Sequence, residues 1–217
     1  MSSQVRGGTR WKRFALVMVP SVVATAAVGV GLAQGALAAS FSVSGQSFKV
    51  STDTLVGENF VQYGSVAVGK DLNGKAAAHP VAVSGFSKAT ITNMCQSVVT
   101  PNLPFGLGSV SLELNAGTDP KKPVEATNLY LDISQLDADA YFEKLDIGVA
   151  AGSLKDPNNP ESIGIQPGTQ ANPNGFSQRA DRATLTGVEQ TAWATTAGTF
   201  KLSNLSLKLH KGVKECF

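Results

Sequence analysis

From Phe41 to Leu209 the chain keeps alternating apolar and polar residues, and that period of two limits its fold class more than any other feature. Phe41 and Val43 alternate with serines, Phe48 and Val50 follow, and Phe60 to Val68 reads as a further strand. Val81 with Val83, then Val110, Leu112 and Leu114, then Leu129, Leu131 and Ile133 repeat the pattern. Phe142, Leu145, Ile147 and Val149 continue it, and Phe200, Leu202, Leu205, Leu207 and Leu209 end it. A strand sends successive side chains to opposite faces, so this spacing buries one face of each segment. No long stretch after residue 40 carries a helical period, and Gly, Ser, Thr, Ala, Asn and Val outnumber the charged residues that solvated helices use. The expected fold is all-β: a single elongated β-sandwich or irregular β-solenoid-like domain over residues 40–217.

A weak repeat modifies the alternation. Ala89-Thr-Ile-Thr-Asn-Met94, Ala140-Tyr-Phe-Glu-Lys-Leu145 and Ala183-Thr-Leu-Thr-Gly-Val188 each place two residues between apolar positions, and Phe200, Leu202 and Leu205 follow suit. Such a step predicts a bulge or tight corner that returns the next apolar residue inward. Residues 152–178, rich in Pro, Asn and Gly, read as one long, mobile loop, because these residues supply turns and interrupt a ladder.

Ahead of this domain stands a segment of another kind. Arg6, Arg10, Lys12 and Arg13 precede an uncharged apolar stretch from Phe14 to Ala39, the arrangement of an export signal, with cleavage expected after Ala38 or Ala39. The stretch exceeds the roughly 7 to 15 residues of a signal core and reaches the ~20 that span a bilayer, so residues 1–39 read as a signal peptide or a membrane anchor helix. Either way, the cationic flank places residues 40–217 outside, secreted or anchored to the cell membrane. Without residues 1–38 the formal charge changes from +2 to −2 (2 − 4). No concentrated basic surface remains, which argues against a nucleic-acid partner. Cys95 and Cys216 are the two cysteines; in an oxidising compartment a single disulfide between them is the economical reading, with two buried thiols as the alternative.

Catalytic and metal motifs are weak. Gly85-Phe-Ser87-Lys-Ala89 approaches a nucleophile elbow but ends in Ala89 instead of glycine. A serine triad would have to use His79, in a predicted loop before Pro80, or His210 near the terminus. Asp132, Asp137, Asp139, Glu143 and Asp146 lack the spacing and central glycine of a calcium loop; they read as solvent-facing strand positions. No cofactor is expected. Phe60, Tyr63 and Trp193 are the aromatic residues that form a candidate interaction surface, Trp193 lying among small residues that permit close approach.

Phe48-Lys-Val, Phe60-Val-Gln-Tyr-Gly64, Cys95-Gln-Ser-Val, Thr191-Ala-Trp-Ala-Thr-Thr-Ala-Gly-Thr-Phe200 and the terminal Glu-Cys-Phe together resemble a family of uncharacterised secreted or membrane-associated proteins from Streptomyces and related actinobacteria. Some members of that family carry a cholesterol esterase label, and the resemblance implies no established catalytic residues. The expectation is an exported, non-catalytic binding or structural protein of the cell envelope, whose partner is a membrane or envelope component or a lipid. A lipid-ester hydrolase using Ser87 and a lipid carrier with an apolar groove are the alternatives.

Overall fold

The computed structural model describes residues 43–103 and 108–217; the expected signal or anchor helix over residues 1–39 lies outside them. The described chain is all-β and antiparallel. Its strands are β1 (Phe48–Lys70), β2 (Ala76–Thr92), β3 (Met94–Leu103), β4 (Gly108–Ala116), β5 (Val124–Glu143), β6 (Asp146–Ala150), β7 (Phe176–Thr196), β8 (Thr199–Lys201) and β9 (Ser206–Lys211). They form one sheet in the order β6-β7-β5-β2-β1-β3-β4-β9, with β8 beside β5 and an additional ladder between β7 and β1.

Several strands are pieces of a single path. β3 prolongs β2 along the same edge of β1, since Thr54 faces Thr92 and Ser51 faces Cys95. β6 likewise prolongs β5 along β7, with Glu143 opposite Arg182 and Asp146 opposite Arg179. The body thus consists of long antiparallel paths, and the β1–β7 ladder closes them into a ring. Going round it, Phe48 faces Ala192, Ala192 faces Ile133, Ile133 faces Ala82, and Ala82 faces Gly64. The circuit returns to β1 sixteen residues further on (64 − 48). That is four residues of slip per strand. At ~3.3 Å per residue and ~4.8 Å between strands it implies a tilt of about 70°, against the usual 35–45° of a closed barrel. The strands wind around the core, and a winding strand has to bend.

The repeated motif supplies bends. Asn93, Lys144, Gly187 and Asn204 hold φ of 50°, 52°, 59° and 54°, and each occupies the fifth place of its copy. Asn59 (51°) and Asn128 (47°) adopt the same conformation inside β1 and β5. Asparagine tolerates this left-handed region because its short amide can bond locally. After Asn59, Asn93, Asn128 and Gly187 the next residue is buried: Phe60, Met94, Leu129 and Val188. Leu145 and Leu205, which follow Lys144 and Asn204, stay exposed.

Inside the ring, Leu55, Phe60, Phe86, Leu129, Leu131 and Leu185 form the principal core. Phe60 packs against Phe86 and Phe142 with ring centroids 5.4 and 5.2 Å apart. Gly57 has to be glycine here, since a Cβ would overlap the Phe86 ring. The interior cavities measure about 30 and 20 Å³, so the inward faces meet each other.

A second cluster lies on the outside of the sheet, where Val61, Tyr63, Val83 and Tyr130 are covered by Leu154 and Ile163. The segment expected to be a mobile loop over residues 152–178 is instead packed. It begins with a 3-10 turn at Ala151–Ser153, and its last residues, 176–178, belong to β7. Asp156, Asn159 and Asn172 each accept a bond from the backbone N–H two residues on, at 2.8, 3.0 and 3.0 Å. The same turn residues that deny a ladder therefore set a fixed path, and Leu154 and Ile163 anchor it.

The C-terminal tail crosses the sheet. The Ser111 hydroxyl donates to the Gly212 carbonyl at 2.9 Å and accepts from the Lys214 N–H at 2.8 Å, and the Ser97 hydroxyl accepts from the Cys216 N–H at 3.0 Å. Cys95 and Cys216 are joined in a disulfide with Cα atoms 5.9 Å apart.

Candidate functional site

Ser87 lies on β2, where a catalytic serine would need a base. Its hydroxyl accepts from the Asn59 amide at 2.7 Å and donates to the Glu58 carbonyl at 3.2 Å. Asn59 in turn accepts from Asn159 at 2.9 Å. This chain of bonds ties the covering loop to the left-handed residue Asn59 of β1. Neither histidine joins it. His79 is in strand β2, not in a loop, and stacks on Trp193 with centroids 3.5 Å apart and planes 9° from parallel. His210 on β9 lies 2.9 Å from Glu113, which also meets Lys214 at 2.6 Å. Both nitrogens approach the same carboxylate oxygen at angles outside hydrogen-bond geometry. The Lys214 ammonium first, and then the Asn115 amide, hold the Glu113 pKa down at about 2.

Phe60, Tyr63 and Trp193 do not form one surface. Phe60 is 3% exposed inside the ring, and Tyr63 is 2% exposed on its outer side, which corrects their assignment as interaction residues. An aromatic residue at an inward position of a closed ring fills the core, whatever small residues flank it. Trp193 is half-buried. Tyr63 accepts from the Gln166 N–H at 2.8 Å and Tyr130 donates to the Gly164 carbonyl at 3.2 Å, so both phenols hold the covering loop. Burial pushes both phenols up, Tyr130 to about 12.

Of the carboxylates expected to face solvent, Asp137, Asp139, Glu143 and Asp146 do so. Asp132 does not: it is buried between Val83 and Ala194, and desolvation raises its pKa. Alternation gave no warning of this, because the outer face of β5 at Asp132 is covered by a segment remote in sequence. Among the described residues no group of three or more His, Cys, Asp or Glu is placed to hold a metal.

Two open basins flank the covering loop. One of about 540 Å³ runs past Ser87, Lys88, Tyr130, Lys155 and Glu161. The other, about 370 Å³, is lined by Lys144, Asp146, Asp156, Arg179 and Asp181. Lys88 spans the first basin to Glu161 at 3.0 Å, and Arg179 pairs with Asp146 at 3.0 Å in the second. Lys144 also pairs with Asp181 in the second basin, so ion pairs occupy both, and each basin lies between the covering loop and the sheet.

The molecule is thus a closed antiparallel β-protein with a filled interior, an external strap and a disulfide-tied tail. The chain belongs to DUF6230, a family of unknown function whose model matches residues 44–217. Neither a curated protein nor a solved structure matches it.

Proposed function

We propose that this chain is an exported protein of the cell envelope, secreted or anchored to the membrane by its N-terminal segment, with a binding or structural role and no catalytic one. The observation that carries the reading is the Cys95–Cys216 disulfide, a bond that persists in oxidising compartments and is rare in the reducing cytosol. The cationic residues Arg6 to Arg13 ahead of an uncharged stretch support the same side of the membrane. The resemblance to secreted Streptomyces-type proteins agrees with it.

The esterase alternative finds little support, because the Ser87 hydroxyl is engaged by Asn59 and the Glu58 carbonyl and not by an imidazole. A lipid carrier would need an apolar space for an acyl chain, and pockets for small ligands measure roughly 300 to 1,000 Å³; the interior cavities of about 30 and 20 Å³ are far smaller, and the open basins of about 540 and 370 Å³ carry the Lys88–Glu161 and Arg179–Asp146 ion pairs. Protease added to intact cells should digest the β-domain, and non-reducing mass spectrometry should recover the Cys95–Cys216 peptide pair. A protected, fully reduced protein would refute export. In the same preparation ester hydrolysis should stay at background with and without Ser87→Ala; turnover abolished by that substitution would establish the enzyme.

A further inference from the structure

The β1–β2 hairpin outruns the ring. β1 pairs with β7 only as far as Tyr63, and β2 pairs with β5 only from Ala82 onward. Gly64–Lys70 and Ala76–Val81 therefore project as a two-stranded ribbon. Residues directly opposite in an antiparallel pair share a face. Gly64 faces Ala82, Val66 faces Pro80, and Val68 faces Ala78, and all six are exposed with no polar side chain among them. The other face is occupied, with Ala67 and Val81 buried and His79 stacked on Trp193. At the tip, the Asp71 carboxylate accepts from the N–H groups of Asn73 and Lys75, both at 2.8 Å. That turn presents Leu72, 58% exposed, between the exposed Lys70 and Lys75.

The covalent chain ties this ribbon to the apolar stretch. The Val43 N–H donates to the Val68 carbonyl at 3.0 Å, and Val43 bridges Gly69. The uncharged stretch ends at Ala39, four residues earlier (43 − 39). Val43 thus meets the ribbon beside its tip turn, and only residues 40–42 separate it in sequence from the end of that stretch.

We propose that the β1–β2 hairpin is a membrane-contact element, with Leu72, Val66 and Val68 entering the headgroup–acyl boundary and Lys70 and Lys75 meeting anionic lipid phosphates. This rests on the anchored form of the envelope reading above, in which the N-terminal stretch stays in the bilayer. An apolar face edged by lysines is the composition that lies in a membrane interface, where apolar atoms bury and ammonium groups remain at the phosphates.

The test uses the full chain in phosphatidylethanolamine–phosphatidylglycerol vesicles, with an environment-sensitive fluorophore on Leu72→Cys or, for reference, on Leu209→Cys of β9. The native cysteines are paired, so only the introduced thiol is labelled. The Leu72 label should shift to shorter wavelength and be quenched by nitroxide-bearing lipid, while the Leu209 label remains in water. Replacing Lys70 and Lys75 by Glu should diminish the Leu72 shift. A vesicle-bound chain whose Leu72 label stays in water overturns the contact and leaves the envelope reading standing. A chain that does not bind vesicles at all overturns both. A shift that appears equally without lipid assigns the ribbon to a second copy of the chain and overturns the lipid assignment.

Discussion

Around Phe60 the sheet has four walls; around Leu112 it has three. At the first level β1, β2, β5 and β7 pair in a full circuit, with backbone ladders such as Val56 to Thr184 completing it, and the Phe60, Phe86 and Phe142 rings fill the space enclosed. At the second level β3, β4 and β9 extend past the ring as an open sheet, which β1 joins only through its first residues, Lys49–Ser51 beside Ser97–Cys95 of β3. One face there carries Leu112, Leu207 and Leu209, and the other is crossed by the tail. A crossing chain cannot join the ladder, yet its N–H groups need acceptors. The buried Ser97 and Ser111 hydroxyls provide them, and the disulfide fixes the end. Where a closing strand is missing, hydroxyls and a covalent bond replace ladder and apolar burial.

The strongest way to break that contrast is to remove the disulfide. Closing a loop of separation 121 stabilises by about 5 kcal/mol on chain entropy alone. Cys95→Ser with Cys216→Ser should lower the unfolding free energy, read from denaturant titration, by an amount of that order or somewhat less. Hydrogen exchange should show β9 and the tail opening first and the four-walled level last; uniform loss would erase the distinction.

A smaller effect should arise at the filled end. Gly57→Ala forces a methyl group into the Phe86 ring, and overpacking of this kind costs about 1–3 kcal/mol. Thermal unfolding should register the loss, while exchange at the tail amides under native conditions stays unchanged. A stabilised variant would mean that the Phe86 ring moves aside at no cost.

The smallest effect concerns pH at the three-walled end. Folding lowers the Glu113 pKa from 4.5 to about 2. Its contacts with Lys214 and Asn115 therefore contribute fully above about pH 4.5, and the contribution is lost as pH falls through about 2. Glu113→Gln should unfold at a lower temperature than the native chain at pH 6, and the two should converge towards pH 2. A constant gap across that range would remove Glu113 from the tail's anchorage.

Much of this architecture could be read locally. The alternation specified strands, and the two-residue step in Ala89–Met94 or Ala183–Val188 marked the left-handed residues Asn93 and Gly187. Backbone conformation is set by a residue and its neighbours, which is why such corners are visible in a short motif. The candidate site was far less legible. Tyr63 looked like a surface residue and Asp132 like a solvent-facing one because nothing nearby in sequence covers them; the cover comes from Ile163 and its neighbours.

The amino-acid sequence by itself determined an all-β chain, its corners and the presence of two cysteines to join. Tertiary structure alone decided that β1 would meet β7, that His79 would stack on Trp193 more than a hundred residues away (193 − 79), and that the turn-rich loop would become a packed strap. The reason is physical. Strand propensity and turn conformation are local properties, whereas ring closure, burial and desolvation depend on which distant segments arrive on each face, and a period of two is silent about that.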